Sequence, residues 1–393
     1  MLRFFTAGES HGKGIFAYLE GIPANFEIDF DFVNRELSRR QKGYGRGGRM
    51  KIEKDRVEFL SGVRLGKTLG SPILMAIWNK DYKNWEEIMK PEPDDLPEDK
   101  KVTRPRPGHA DLSGVLKYGF DDVRNVLERS SARETAGRVA AGALCKDILR
   151  RFGITIGSYV ISIGSVEVPK KVLENLSYLE RFKIAENSEV RIPIDDLTLE
   201  KRFKEEIDKA KENGESLGGV FEVFAIGVPV GLGSHTQWDK RLDGKIAQSI
   251  MSIQAIKGVE VGIGFESAKT IGSKVHDEIF YSEEKGFYRK TNRAGGIEGG
   301  MTNGEPIVIR AAMKPIPTLY NPLKSVDIKT KEPFEASIER SDVCAVPAAA
   351  VVGESMLAIT LLSVILETFP ADNFEKLKKW FEFYSLSSDL SLK

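Results

Sequence analysis

Cysteine is nearly absent from this 393-residue chain: Cys145 and Cys344 are the only two. With no C-x-x-C, neither a disulfide scaffold nor a zinc ribbon is built, and two buried thiols in a reducing compartment are expected. Histidine is scarce as well, with four. None has metal-ligand spacing and H-E-x-x-H is missing, so no metal site is expected. A surplus of either charge is lacking, since 58 Lys+Arg balance 58 Asp+Glu. A globally basic nucleic-acid binder is thereby disfavoured. No signal-peptide apolar region follows Met1-Leu2-Arg3-Phe4. The one long apolar run, Cys344 to Leu366, carries Pro347, Gly353 and Glu354. A mid-span glutamate is costly in lipid, so a buried core helix is expected there. The expectation is a soluble cytoplasmic protein with no membrane or nucleic-acid partner.

What is present is enough apolar residue, 41%, to fill a large core. Three helices stand out. The first starts at Ser131-Ala132-Arg133-Glu134, which fits a capping box, and ends at Gly153. The second runs from about Asp239 to Ile256, with Leu242, Ile246, Ile250 and Ile253 on one face. The third begins near Val346 with Pro347 in its first turn and is apolar all round, which places it between layers. Strand-like runs are Gly227–Val230, Val259–Phe265 and Pro306–Ala312. Clean βαβα alternation is lacking, so neither a Rossmann nor a TIM fold is read. Residues 79–105 and 170–215 are charged and thin in apolar residues, the first lid-like, and both are expected as peripheral insertions. Arg129-Ser130 and Arg340-Ser341 each precede a small-residue helix, with Gly142 and Gly353 at the same offset. Two related halves in one domain spanning 1–393 would explain this echo.

Familiar phosphate motifs fail on inspection. Gly43-Tyr44-Gly45-Arg46-Gly47-Gly48 follows a basic segment rather than an apolar strand, and Ser61–Thr68 has its first glycine one position out for a P-loop. Two histidines lie among glycines, in Gly8-Glu9-Ser10-His11-Gly12 and Arg106-Pro107-Gly108-His109-Ala110-Asp111. Such loops bring backbone close to a ligand, and an imidazole can trade a proton at working pH. His235 and His276 have no such setting. Arginines group at Arg39, Arg40, Arg46 and Arg49, at Arg104 and Arg106, and at Arg124, Arg129, Arg133 and Arg138. In a neutral chain these groups point to an anionic ligand. The bland alternative pairs them with Asp121, Glu128 or Glu134. A glycine cluster from Gly295 to Gly304, followed by Lys314, suits a backbone cradle for a flat or phosphorylated ligand, and a turn-rich hairpin explains it equally well.

Together these segments resemble the chorismate synthase family over the whole chain. The resemblance rests on Gly8–Gly12, Arg106–Asp111, Arg129–Thr135, Gly295-Gly296-Ile297 with Gly299-Gly300, and Arg340-Ser341-Asp342 running into Ala345–Ala348. It implies an α/β fold with a helical layer between two antiparallel sheets in two pseudo-symmetric halves, assembled as a homotetramer. It implies a lyase that converts 5-enolpyruvylshikimate 3-phosphate to chorismate and phosphate by anti-1,4-elimination, with reduced FMN required but not consumed. By the same resemblance His11, His109 and Asp342 are catalytic. Ser10, Arg40, Arg46, Arg49, Arg106, Arg133 and Arg340 bind substrate, and Arg40 and Arg46 are also associated with NADPH. FMN contacts fall on Arg129, Ser130, Ser131, Gln254, Ala255, Gly299, Lys314, Pro315, Ile316, Pro317, Thr318 and Arg340. Whether the chain reduces its own flavin or relies on an external reductase is left open. A flavin reductase proper lacks its dinucleotide fingerprint here, and a non-catalytic nucleotide binder lacks basic excess and interleaved aromatics.

Overall fold

The computed structural model describes residues 2–47, 53–93 and 96–387. In chain order the main elements are β1 (Arg3–Gly8), β2 (Gly14–Glu20), α1 (Phe30–Gln41), β3 (Glu58–Phe59), β4 (Ile73–Trp78), α2 (Asp111–Tyr118), α3 (Arg124–Ser130) and α4 (Thr135–Arg150). Then come β5 (Thr155–Ile163), β6 (Val166–Glu167), α5 (Tyr178–Asn187), α6 (Leu197–Glu212), β7 (Gly219–Ile226), α7 (Leu242–Met251), β8 (Ile256–Val261), β9 (Ile307–Met313), α8 (Val346–Thr368) and α9 (Phe374–Ser387). Two wholly antiparallel sheets result, ordered β1-β2-β4-β3 and β8-β9-β7-β5-β6.

Alternation decides which sheet face is covered. In the first sheet Ile15, Ala17, Leu19, Ile73, Met75 and Ile77 are buried and meet α4, while Phe5, Phe16, Tyr18 and Trp78 share the opposite face. In the second, Phe221 and Val223 of β7 meet α8, and Phe224 packs on the other face against Tyr178 and Phe182. Segment 170–215 thus covers the outer face of that sheet, and its Leu199, Phe203 and Ile207 join the main core.

The echoed glycines lie on two packed helices but serve different contacts. A Cβ on Gly142 of α4 would stand 2.5 Å from the Ser355 Cα of α8, so only glycine lets these helices meet. A Cβ on Gly353 would stand 2.8 Å from Val223 Cγ2, so that glycine seats α8 on the second sheet.

Helix α8 is long and apolar enough to cross a membrane, yet nearly all of it is buried in the fold, with Pro347 in its first turn as expected. Glu354 at its middle is fully buried. It accepts from Arg39 Nη1 and Nη2 at 2.8 Å each, Lys146 Nζ at 2.5 Å and Ser158 Oγ at 2.6 Å. Glu36 and Glu186 take the remaining Arg39 and Lys146 protons, and Arg191 closes the cluster on Glu186. Burial pushes the Glu354 carboxyl up, but Arg39 and Lys146 outweigh it and hold it well below the usual carboxylate range.

Several expectations are corrected. The helix expected from Ser131 begins as a 3-10 turn, and α4 proper starts at Thr135. No capping box forms, because the buried Glu134 carboxylate accepts from Thr6, Arg138 and Gln254 instead. Gly227–Val230 is not a strand; the strand is the preceding β7. The second helix is shorter than expected, with a 3-10 turn at Trp238–Lys240 before it.

Glu354→Ala removes the common acceptor of two buried cations. A loss of about 3–5 kcal/mol is expected, read as a lower urea midpoint, and a smaller loss for Glu354→Gln, which keeps the volume. An unchanged midpoint in both would show the cluster to be energetically idle.

Candidate active site

The glycine loop between β1 and β2 carries Ser10 and His11. Asn79, just past β4, clamps it by donating Nδ2 to the carbonyls of Glu9, Ser10 and Gly12 at 3.2, 3.1 and 2.8 Å. Glu128 of α3 holds the other side: its carbonyl accepts from Ser10 N, and its carboxylate from His11 N at 2.8 Å and His11 Nδ1 at 2.9 Å. Arg124 donates to the same carboxylate at 2.9 Å. The His11 ring stacks on Trp85, centroids 4.0 Å apart, with the Arg124 guanidinium over the same indole. Trp85 is anchored by Asp81, which also accepts from Arg340 at 3.0 Å. Residues 79–85 of the expected lid are therefore framework of the site.

His109 sits in a tight turn before α2. Its Nδ1 lies 2.5 Å from Asp111 Oδ1, and Arg106 grips the same carboxylate through Nε at 2.9 Å and its own backbone N at 3.1 Å. Arg106 Nη1 reaches Thr318 Oγ1 at 2.9 Å. Gly108 in this turn has φ +78°, and its carbonyl accepts from Lys314 Nζ. Burial alone would raise the Asp111 carboxyl, but His109 and Arg106 together hold it far below the usual range.

A third centre joins distant segments through Asp55. It accepts from Arg40 Nη2 at 2.5 Å and Arg133 Nη1 at 2.6 Å, and Arg133 Nε donates to Asn79 Oδ1 at 2.9 Å. Burial, then the neighbouring Arg133 and Arg46, push the Arg40 guanidinium below its ordinary value despite Asp55. Arg40 Nε and Arg133 Nη2 are buried without a hydrogen-bond partner. Arg46 pairs with Asp342 at 2.8 Å, and Gly47 N donates to the other Asp342 oxygen at 2.6 Å.

The contacts link most of the expected residues. Ser131 Oγ donates to Ser10 Oγ at 3.1 Å. Arg129 is bound to the carbonyls of Thr6 and Gly8, and Thr6 leads through Glu134 to Gln254. Ala255, at φ +67°, accepts from Lys314 N, which leads on to Gly108 and His109. Ser341 bridges to the Thr318 carbonyl beside Arg340 and Asp342. Ser130 Oγ bonds back to the Val126 carbonyl within its own helix. Gly299 tips the hairpin Ile297–Glu298/Met301–Thr302, and the neighbouring Gly300 approaches Ser234 and Arg241 rather than this cluster. Arg49 lies outside the described residues. Arg124 and Arg138 follow the bland alternative, spent on Glu128 and Glu134. His235 and His276 are exposed.

The unassigned participants are Asp55, Asn79, Asp81, Trp85, Glu128 and Asp111. Only Asp111 and Glu128 had a signal, being two and four residues from a grouped His or Arg. Asp55 and Asn79 act at sequence separations that spacing does not reveal.

The donor set fits a flavin phosphate beside a polyanionic substrate. Gln254 Oε1 is a buried acceptor without a partner, which a ring N–H of such a group would satisfy. Lys314 is an ammonium whose value is pushed down by burial and by Lys257, a cost that a bound anion offsets.

These features define an anion-binding α/β enzyme with two carboxylate-held histidines. A family model described as chorismate synthase matches residues 2–366. The chain is 64% identical to the chorismate synthase of Sulfurihydrogenibium sp. (strain YO3AOP1), covering 98% of both chains. It is 61% identical to that of Aquifex aeolicus (strain VF5), covering 98% of this chain and 97% of the other. A solved structure titled "Crystal Structure of Chorismate Synthase" superposes with a TM-score of 0.79 at 50% identity, covering 99% of this chain and 98% of that one. The chain belongs to the chorismate synthase family.

Burial would raise Asp55, but Arg40 and Arg133 hold it below its ordinary value; Glu128 and Glu134 are likewise lowered by His11 and Arg138. A depressed folded-state value contributes stability in full above the unfolded value of about 4 and loses it as pH falls below. The parent is therefore expected to lose urea resistance steeply from about pH 5 downward. Asp55→Asn is expected to be less stable at pH 7 and to show a flatter decline, because one contributor to the slope is gone. Equal slopes would contradict this.

Proposed function

We propose that this chain converts 5-enolpyruvylshikimate 3-phosphate to chorismate and inorganic phosphate by anti-1,4-elimination. The observation that carries this reading is the gathering of Arg40, Arg46 and Arg133 in a chain of zero net charge, with buried N–H groups of Arg40 and Arg133 still unpaired. Two carboxylates and a phosphate on one substrate suit that donor set. One C–O bond and one C–H bond break, the phosphate leaves with its electron pair, and the C–H pair becomes a second ring double bond. The electrons balance, so no net oxidant is needed.

Reduced FMN, when bound, supplies electron density while the C–O bond breaks and recovers it afterwards. Arg129, Ser130, Ser131, Gln254, Ala255, Lys314 to Thr318 and Arg340 are assigned to hold it. Within that set the Ser130 hydroxyl is spent inside its own helix and Gly299 lies at a hairpin tip. Ser10 and the arginines, Arg49 and Arg340 among them, are assigned to orient the substrate. His109 donates a proton to the departing phosphate. His11, ringed by Glu128 and Trp85, holds the proton that keeps the flavin in its working state. Asp342, an acceptor fixed by Arg46 and Gly47, takes up a proton on the flavin side.

The assembly is proposed as a homotetramer in the cytoplasm. Support for self-association is the outer face of the first sheet, where Phe5 is 61% and Trp78 48% exposed. Arg40 and Arg46 also carry the NADPH assignment, with an external flavin reductase as the alternative electron source. NADPH oxidation in an anaerobic mixture without added reductase separates the two.

Anaerobic turnover with chemically reduced FMN is expected to release one phosphate per chorismate without stoichiometric flavin oxidation. His109→Ala is expected to lower kcat by about 10²–10⁴ while FMN still binds. Full activity in that variant would remove His109 from the chemistry.

A further inference from the structure

Asp55 is a carboxylate placed inside a site otherwise suited to anions. Its Oδ2 accepts from Arg40 Nη2 at 2.5 Å and its Oδ1 from Arg133 Nη1 at 2.6 Å, and its side chain is almost wholly buried. On charge alone it is a liability there, because it offsets one of the two cations and repels any anion that arrives. Its position is nevertheless closely fixed. Gln41, the last residue of α1, accepts from Asp55 N at 3.0 Å and donates to the Glu53 carbonyl at 2.9 Å, so one side-chain amide pairs with the backbone as a neighbouring strand does. Asn34, about two turns earlier on the same face of α1, accepts from Val57 N at 3.1 Å. Helix α1 thus carries both Arg40 and the amides that locate its counter-ion.

The hydrogen bonds divide each guanidinium into held nitrogens and a free one. Arg40 gives Nη2 to Asp55 and Nη1 to Thr135 Oγ1 at 3.3 Å, and the Thr135 proton is itself spent on the Ala132 carbonyl. Arg133 gives Nη1 to Asp55 and Nε to Asn79 Oδ1 at 2.9 Å. What is left over is Arg40 Nε and Arg133 Nη2, each buried without a hydrogen-bond partner. A guanidinium is planar, so two held nitrogens fix the direction of the third. One carboxylate holds both groups, and it therefore fixes the free nitrogens relative to each other. Asn79 also clamps the loop that carries Ser10, which places the pair in register with that loop. Fixed spacing favours a ligand of matching shape, whereas charge favours every anion alike.

We propose that Asp55 is a positioning residue that sets the anion selectivity of the site: it lowers the attraction for anions in general and holds the Arg40 and Arg133 guanidinium groups at the spacing of one rigid polyanion. This rests on the reading of those arginines as substrate-binding. A small free anion needs no such spacing, so the substrate and inorganic phosphate respond differently to the loss of Asp55.

The test uses the full-length protein with saturating reduced FMN under anaerobic conditions. It measures KM for 5-enolpyruvylshikimate 3-phosphate and the competitive inhibition constant of inorganic phosphate, and the ratio of the two decides. In Asp55→Asn, which keeps the shape and removes the charge, KM is expected to rise about tenfold to a hundredfold, the range for lost hydrogen bonds to a charged group, while the phosphate constant holds or tightens. Gln41→Met leaves every charge of the cluster in place and removes the two bonds that fix the Asp55 backbone. It is expected to raise KM by about three- to tenfold with the phosphate constant unchanged. A carboxylate that served the fold alone would move both constants together or neither, so an unchanged ratio in Asp55→Asn overturns the proposal. A KM below the parental value there also overturns it, since charge would then outweigh position. If Asp55→Asn does not fold, a parental ratio in Gln41→Met overturns the proposal instead. Arg133→Lys separates the two levels: a parental KM in that variant defeats the substrate reading and the proposal with it, whereas a raised KM there beside an unchanged ratio in Asp55→Asn defeats the proposal alone.

Discussion

A single buried carboxylate, Glu354, determines how the rest of the molecule is arranged. It lies at the centre of a helix that is otherwise apolar, and it is tolerable there only because Arg39, Lys146 and Ser158 converge on it. Those partners come from α1, α4 and β5, so one acid sets three elements in register with α8. Apolar packing alone would leave helices free to slide by a turn; a set of fixed donor directions does not. The consequence reaches the site at once, because Arg39 and Arg40 are neighbours. With Arg39 committed to the core, Arg40 is delivered to Asp55 and Arg133.

The site repeats this logic. In the core cluster Glu354, Glu36 and Glu186 take up Arg39 and Lys146, though Arg191 Nε there is also buried without a partner. In the site the carboxylates Asp55, Glu128, Asp111 and Asp342 hold the cations in place but leave buried N–H groups on Arg40 and Arg133 without acceptors. Such groups are costly in the absence of an anion and favourable in its presence. On the proposed function, part of the affinity for a polyanion would be stored as this unmet hydrogen-bonding requirement.

How much of this was legible depended on the range of the contact. Helices α7 and α8 and strand β9 follow from apolar periodicity, a local property; of the run Val259–Phe265 only the first three residues are strand, because β8 starts at Ile256 and a turn follows Val261. Strand β7 was not legible in that way, because Glu222 breaks the run Gly219–Ile226. It is buried there on the sheet's outer face, paired with Arg310 on the neighbouring strand. The histidine loops and the arginine groups were visible because glycine and arginine cluster in sequence. Their partners were not: Asp55 serves residues 15 and 78 positions away, and Asn79 reaches back to the first loop. Glu134 was visible as a cap and used elsewhere, since Thr6 and Gln254 compete for its carboxylate once the first sheet packs on α4. Propensity named the residue and tertiary contact chose its partner.

The placement of the two thiols bears on the chemistry beside them. Reduced flavins that meet oxygen yield hydrogen peroxide, so an enzyme working with one generates its own oxidant. Peroxide attacks thiolate rather than thiol. Cys344 follows Asp342, which is proposed to act on the flavin, by two positions, and burial pushes its value up to about 12. Cys145, wholly enclosed in α4, is pushed up further by burial alone. Neither offers a thiolate at neutral pH, which makes the protein chemically durable against the by-product of its own cofactor without a dedicated defence.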